Sequence, residues 1–256
     1  MGYDVSWSNK FEIKPKRWVF IPTTECLING RGLVSELKIK WIQPDFYFHL
    51  RAGGHVSAVK LHLANTYFAK LDLHDFFGSI SRSRVTRALR SFYSYEDARG
   101  FAKMSTVPQC GDWQHSHSLP YGFAQSPMLA SLCLEKSYLG IVLSKCRESK
   151  DVCVTVYMDD ILISSKSNVS LQFWYDSIIL SAEKSKFIIN KDKSHGPETE
   201  TTIFNIKLSA LDLKVERQRF ASFYDKYNKS ENPSQKKGIG SYVGTVNKVQ
   251  ALELDM

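Results

Sequence analysis

The stretch Val152-Cys153-Val154-Thr155-Val156-Tyr157-Met158-Asp159-Asp160-Ile161-Leu162-Ile163-Ser164-Ser165 decides how the chain is read. Two adjacent carboxylates separate two apolar, β-branched runs. Each run predicts a strand. The break Met158-Asp159-Asp160 is short enough for a tight hairpin with both acids at its tip. Asp is depleted in strands and favoured in turns, so the placement is locally consistent. Neighbouring carboxylates repel, and a hard cation such as Mg²⁺ between them removes the repulsion. A solvated hairpin turn is the other reading, and this stretch alone leaves both open.

Upstream, Phe68-Ala69-Lys70-Leu71-Asp72-Leu73 predicts a second strand that ends on an acid. A buried charge there is costly unless it is paired or holds a metal. Asp75, nearer the turn, is expected to be solvated, and Phe76-Phe77 follow as an aromatic step. Ser81 is a candidate cap for a helix running to Tyr93. Arg84, Arg87 and Arg90 recur at one-turn spacing on it, with Arg82 nearby. That stripe is either a solvated face or one that meets phosphate.

Residues 1–50 mix basic and aromatic side chains, as in Lys14-Pro15-Lys16-Arg17-Trp18. Arg31–Trp41 predicts a short helix ended by Pro44. Trp41 and Phe46-Tyr47-Phe48 are assigned to the core. Arg51-Ala52-Gly53-Gly54-His55 is a glycine turn behind a cation. It leads into a helix with Val56, Val59 and Leu63 on one side and Lys60 on another. The turn reads as a plain connection or as a loop that contacts phosphate.

Downstream, residues 94–118 are polar and read as a loop or short helix. Cys110, His115 and His117 there lack a fourth ligand for zinc. Ser126-Pro127 starts a helix, with Ser as cap and Pro in the first turn. That helix is expected to run through Met128, Leu129, Leu132 and Leu139 to Cys146. A further helix is expected over Leu171–Phe187. Strands are expected over Phe187–Ile189, before a basic turn, over Thr201–Leu208, and from Leu213. The remainder is polar and basic, broken at Asn232-Pro233-Ser234 and at Gly238 and Gly240.

The 256 residues are 43% hydrophobic and 23% charged, with a formal charge of +8. This is a globular composition, enough for one large domain or two small ones. The positive balance suits a partner rich in phosphate. There is no apolar run of about eighteen residues, so no membrane span is expected. The start Met1-Gly2-Tyr3-Asp4-Val5-Ser6 has no basic segment followed by an apolar one, and no signal peptide is expected. Gly2 with Ser6 loosely fits a myristoylation pattern. The five cysteines, never spaced as CxxC, read as reduced thiols of a cytoplasmic protein.

Taken together, these segments resemble the reverse transcriptases, and within them the compact prokaryotic kind that includes retron, group II intron and phage-defence enzymes. Tyr157-Met158-Asp159-Asp160 is similar to the family's YxDD box. Leu71-Asp72, with Phe76-Phe77, Ser79 and Ile80, resembles the strand that carries the first metal-binding Asp. Leu119-Pro120, Gly122 and Ser126-Pro127 are similar to the loop and helix beside the incoming nucleotide and template. Asn190, Lys193 and Ser194 resemble the motif whose Lys approaches the leaving pyrophosphate. Phe204-Asn205-Ile206-Lys207-Leu208 falls where the primer grip is expected. The motifs run in family order over residues 45–210.

The resemblance implies an α+β right-hand polymerase. Fingers would span residues 1–70 with part of 78–118. A palm would span 71–210, an antiparallel sheet packed on helices, and a short or partial thumb 211–256. Asp72 and Asp159 would bind two Mg²⁺ ions, or Mn²⁺, with Asp160 assisting and Leu73 offering its carbonyl. Phe77 would be the sugar gate that excludes a 2′-OH. Arg51 and Lys60 would meet the triphosphate and Lys193 the pyrophosphate, while Tyr121 and Gln125 would line the nucleotide site. Tyr121 stands where the family usually has Gln, and Gln125 where a small residue is common. The implied activity is RNA-directed DNA synthesis in anti-phage defence. The implied partners are dNTPs, a structured noncoding RNA template and the DNA product, with a partner protein or second copy and no membrane. Tyr121 also admits template-independent or protein-primed synthesis. A non-catalytic RNA-binding scaffold is the alternative from another class.

Overall fold

The computed structural model describes residues 6–15 and 17–254. Met1–Val5, and with them the Gly2 pattern, lie outside the described residues, as do Lys16, Asp255 and Met256. The chain begins with an antiparallel hairpin, β1 (Trp7–Lys14) and β2 (Arg17–Pro22). Helix α1 (Thr24–Lys40) starts well before the expected Arg31, because the Thr23 hydroxyl accepts from the Cys26 N–H and caps it. Trp41, Phe46, Tyr47 and Phe48 are buried as expected. Helix α2 (Gly54–Lys60) follows Gly53, whose φ of +90° suits glycine.

Next come β3 (Tyr67–Asp72), α3 (Arg82–Leu89) and α4 (Tyr95–Met104). Ser81 caps α3 as expected, but α3 stops short of Tyr93 and Ser94 caps α4. A small hairpin, β4 (Val107–Pro108) with β5 (His117–Ser118), precedes α5 (Ser126–Glu135) and α6 (Tyr138–Glu148). Contrary to expectation, Ser126 does not cap α5: it is already helical, and the cap position is Gln125 with no side-chain cap hydrogen bond. The buried Ser126 Oγ has no partner among the described residues, while Pro127 does sit in the first turn. The single helix expected there is two. Ser137 accepts from the Gly140 N–H and starts the second afresh.

The acidic hairpin is β6 (Val152–Tyr157) and β7 (Asp160–Ser165), followed by α7 (Asn168–Lys184) and β8 (His195–Glu198). The Thr201–Leu208 segment, expected as one strand, folds back into β9 (Glu200–Ile203) and β10 (Ile206–Ser209). Its turn is Phe204-Asn205, both at positive φ. Strand β11 (Asp212–Val215) completes that sheet. The chain ends in α8 (Arg217–Lys229), α9 (Pro233–Val246) and α10 (Lys248–Glu253). Gly238 and Gly240 lie inside α9 rather than breaking it.

The sheet that positions the site runs β6-β7-β3-β8, antiparallel throughout. Side chains alternate across it with a period of two. Val152, Val154, Val156, Ile161, Ile163, Ala69 and Leu71 enter the main core, which they share with α5, α6 and α7. Phe68 and Leu162 point the other way, into a second core with Val56 and Val59 of α2, β10 and α9. By the same alternation Lys70, Asp72 and Asp160 fall on that second face. A one-residue slip of β3 or β7 would drive an acid into the helix-packed core, so the apolar pattern fixes the register. Among the described residues no helix is long and apolar enough to cross a membrane.

Candidate active site

Three carboxylates separated by nearly ninety residues of chain meet at one end of this sheet. Asp72 is the cross-strand partner of Asp160. The Leu73 N–H donates to the Asp159 carbonyl at 2.9 Å. Asp160 is not in the turn, as expected, but opens β7 opposite Tyr157, leaving Met158 and Asp159 as the two-residue connection. Burial pushes Asp160 up to about 7, with Asp159 and Asp72 adding repulsion. Asp159 is raised for the same reasons, burial first, while Arg17 and Lys193 pull it down.

Met158 takes φ +56°, the left-handed conformation that two-residue hairpins require at a central position and glycine usually fills. A non-glycine residue there costs about 1–3 kcal/mol and persists where its surroundings hold it. Here the Met158 N–H donates to His49 Nδ1 at 3.0 Å. His49 Nε2 lies 2.6 Å from Ser131 Oγ, and Ser131 donates to the Pro127 carbonyl. Burial drives the His49 pKa down to about 4, against a Val156 carbonyl that favours the charged ring.

On the far side of β3, residues 188–194 run along the strand end. The His74 N–H donates to the Ile188 carbonyl and the Asn190 N–H to the Asp72 carbonyl. The Asp72 N–H donates to Ser194 Oγ, and Lys193 Nζ stands 3.6 Å from Asp72 Oδ2. Phe187–Ile189 is therefore not the strand expected. It is held by a single bridge between Leu73 and Ile189.

Phe77 is buried, with its ring 5.9 Å from Phe76 and 4.8 Å from Tyr121. Arg17 donates to the Tyr121 hydroxyl at 3.0 Å, and its guanidinium lies over that ring. Burial raises the Tyr121 phenol to about 12, with Arg17 opposing and the charges of Asp159 and Asp75 reinforcing. The amino-terminal hairpin is docked here through backbone: the Phe20 N–H donates to the Tyr121 carbonyl. Gly122, at φ +102°, leaves no room for a side chain, since a Cβ would sit 2.2 Å from the Phe20 carbonyl oxygen. Asp75 is not solvated as expected but accepts from the Trp113 indole at 2.7 Å.

The structure thus gathers Asp72, Leu73, Asp159, Asp160 and Lys193 at one point and Phe77 with Tyr121 beside it. It does not gather the rest. Gln125 is 1% exposed, bonds to Ser105 and fills the space left by Gly30 of α1, so it lines the core and not the cleft. Arg51 donates to the Asp45 carbonyl and lies over the Phe48 ring. Lys60 is the exposed last residue of α2. The arginine stripe of α3 is split. Arg84 donates to the Ser185 carbonyl and covers Phe187, and Arg82 donates to Thr106. Sequence reasoning missed Arg17 and His49. Arg17 lay in the basic run Lys14-Pro15-Lys16-Arg17-Trp18, to which the sequence attached no specific role. His49 directly follows the aromatic run Phe46-Tyr47-Phe48 assigned to core, and drew no reading of its own.

A chain of rings joins the acidic hairpin to the carboxy-terminal part. Tyr157 contacts Phe204 at 5.2 Å and His55 at 6.0 Å, and His55 in turn meets Phe204 and Tyr242 of α9. The turn between β9 and β10 is thereby seated next to Asp159 and Asp160.

Among the described residues no group of three His, Cys, Asp or Glu side chains is closed into a metal-binding set. Lys193 stands beside Asp72 instead. The donor set still suits a hard divalent cation. It offers carboxylate oxygens, and both the burial that raises Asp159 and Asp160 and the repulsion among the three acids are penalties on negative charge that a cation would relieve.

Comparison with known proteins identifies the family and the fold. The family model described as reverse transcriptase (RNA-dependent DNA polymerase) matches residues 29–208. A retron reverse transcriptase, Ec86 of Escherichia coli, is 24% identical over 161 residues. The match takes in 62% of this chain and 48% of that protein, so the chain spans about half the length of this curated relative. The structure of telomerase from Candida albicans with a fragment of telomeric RNA superposes with a TM-score of 0.52 at 10% identity. That overlap covers 90% of this chain and 47% of the telomerase. A foamy viral protease–reverse transcriptase with double-stranded DNA gives 0.49 at 14% identity, over 91% and 34% of the two chains. The fold is the right-hand polymerase kind, mixed helix and antiparallel sheet. The family model covers well over half of the sequence, and the chain belongs to the reverse transcriptase family.

Proposed function

We propose that the protein is an RNA-directed DNA polymerase that adds deoxynucleotides to a primer 3′-hydroxyl. The observation that carries this reading is the register that sets Asp72 opposite Asp160 and ties Leu73 to Asp159. Asp72 and Asp159 would hold two Mg²⁺ ions, or Mn²⁺, with Asp160 assisting and the Leu73 carbonyl as a further ligand. Divalent ions bound there stabilise charge on the attacking and leaving oxygens. The primer oxygen bonds to the α-phosphorus of the dNTP, the bond to the β-phosphate oxygen breaks, and pyrophosphate leaves.

The other residues divide the remaining work. Lys193, beside Asp72, offers a cation to the departing pyrophosphate. Phe77, backed by Tyr121, forms a wall that a 2′-hydroxyl would meet. Arg17 supplies the triphosphate cation that the sequence reading sought in Arg51 and Lys60, because it alone of the three reaches the Tyr121 wall. Gln125 has a packing role. Fingers are assigned to 1–70 with part of 78–118, palm to 71–210 and a short thumb to 211–256. The charge of +8 supports a nucleic-acid partner, read here as a structured noncoding RNA template in a cytoplasmic enzyme. The retron relative supports a defence role.

Purified protein with Mg²⁺, dNTPs and a primed RNA is expected to extend the primer, and Asp159→Asn to abolish extension. Equal extension by the variant rejects the reading. Sequencing the product decides templating. Product complementary to the RNA supports this reading. Homopolymer without a complementary RNA favours untemplated synthesis, for which Tyr121 in place of Gln is the supporting observation. Tight RNA binding with no incorporation under any condition leaves the scaffold.

A further inference from the structure

The two ring nitrogens of His49 have unlike partners, and the partners fix the proton. A backbone N–H can only donate, so Nδ1, which receives it from Met158, is bare. Ser131 spends its hydroxyl proton on the Pro127 carbonyl, which can only accept. With Nδ1 accepting from Met158, the neutral ring carries its proton on Nε2 and donates it to Ser131 Oγ at 2.6 Å. The result is a one-way relay, Met158 N–H to His49 to Ser131 to the first turn of α5.

Each anchor of the relay is itself fixed. Ser131 is 1% exposed within α5. The segment carrying His49 lies parallel to β6, with Tyr47 beside Val156 and the Val156 N–H donating to the Phe46 carbonyl at 2.8 Å. The His49 ring also meets Tyr157 edge-on at 5.7 Å. Histidine thus grips the hairpin from the strand before the turn and from the turn itself. Met158 directly precedes the two acids, so its conformation sets where their carboxylates point.

We propose that His49 is a positioning residue for the acidic turn: its imidazole holds Met158 in the left-handed conformation that presents Asp159 and Asp160, and braces that turn against the start of α5. The inference rests on the polymerase reading for its consequence, not for its geometry. His49 touches neither substrate nor metal in this scheme. It sets the separation of the carboxylates and hence their grip on a divalent cation.

The test compares full-length wild type with His49→Asn, His49→Phe, His49→Ala and Ser131→Ala. Mn²⁺ affinity is read by electron paramagnetic resonance. Incorporation kinetics with Mg²⁺, template–primer affinity and Tm are read alongside. Loss of a ligand's supporting hydrogen bond costs roughly 10–100-fold in metal affinity or activity. His49→Phe and His49→Ala are expected to lose about 10-fold or more in Mn²⁺ affinity and in kcat, with KM for dNTP and template–primer affinity unchanged. His49→Asn, whose Oδ1 replaces Nδ1 as acceptor, recovers most of both. Ser131→Ala falls between. Wild-type Mn²⁺ affinity in His49→Phe overturns the proposal, as does Asn doing no better than Phe. If the alanine variant does not fold, the Asn and Phe pair decides. A wild type that binds Mn²⁺ but incorporates nothing overturns the polymerase reading, and the Mn²⁺ series still decides the role of His49.

Discussion

Asp72 and Asp160 face each other across β3 and β7, on the sheet face opposite the main helix-packed core. With Asp159 next in sequence, the fold concentrates negative charge where burial makes charge expensive. Replacing Asp160 by Asn removes one member of the repelling set. We expect metal-free protein to gain about 1 kcal/mol or more, raising Tm by roughly 2–4 °C for a chain of this size. Incorporation should fall sharply in the same variant. Calorimetry in chelator, paired with primer extension, checks both, and an unchanged or lower Tm would contradict the charge argument.

Arg17 donates to the Tyr121 hydroxyl and lies over its ring. Arg17→Ala is expected to raise KM for dNTP by roughly 10–100-fold, the value of a charge-assisted hydrogen bond. Template–primer affinity should change far less. Arg51→Ala should move KM less than Arg17→Ala does, since the Arg51 guanidinium is engaged by Asp45 and Phe48. Steady-state kinetics on the two variants side by side ranks them.

Gly122 secures the docking that delivers Arg17. Gly122→Ala puts a Cβ against the Phe20 carbonyl at a φ that alanine resists. The expected cost is about 1–3 kcal/mol. Urea denaturation measures it. The same variant should raise KM for dNTP, because β2 can no longer seat on residue 121.

His62 is fully buried between Ser164 and Thr155, and burial lowers its pKa to about 3. The unfolded chain takes up that proton near pH 6.5. Between those values the unfolded state binds more protons, so stability rises with pH there and is lost as pH falls. The loss approaches about 1.4 kcal/mol per pH unit for one histidine. His62→Gln should flatten that slope in urea midpoints measured from pH 7 to pH 4. An unaltered slope would place the pH dependence elsewhere.

The acidic hairpin, the strand ending on Asp72 and the helix start at Ser126-Pro127 were readable because each rests on local rules: period-two alternation, turn preference and a proline in the first helical turn. Their convergence followed from register, which the same alternation dictates. Long-range packing was not readable. Gln125 looked like a cleft residue, but the missing side chain at Gly30, far away in sequence, draws it inward. The β9–β10 turn was hidden because Phe204 and Asn205 adopt positive φ without a glycine to announce it. The break between α5 and α6 turned on a single serine cap, Ser137, just after Glu135-Lys136.

The rings of Tyr157, Phe204, His55 and Tyr242 touch in series from the acidic turn to α9. On the function proposed above, grasp and chemistry would therefore not be separate organs of this molecule. A tilt of α9 would be felt, ring against ring, at the side chain two places before Asp159.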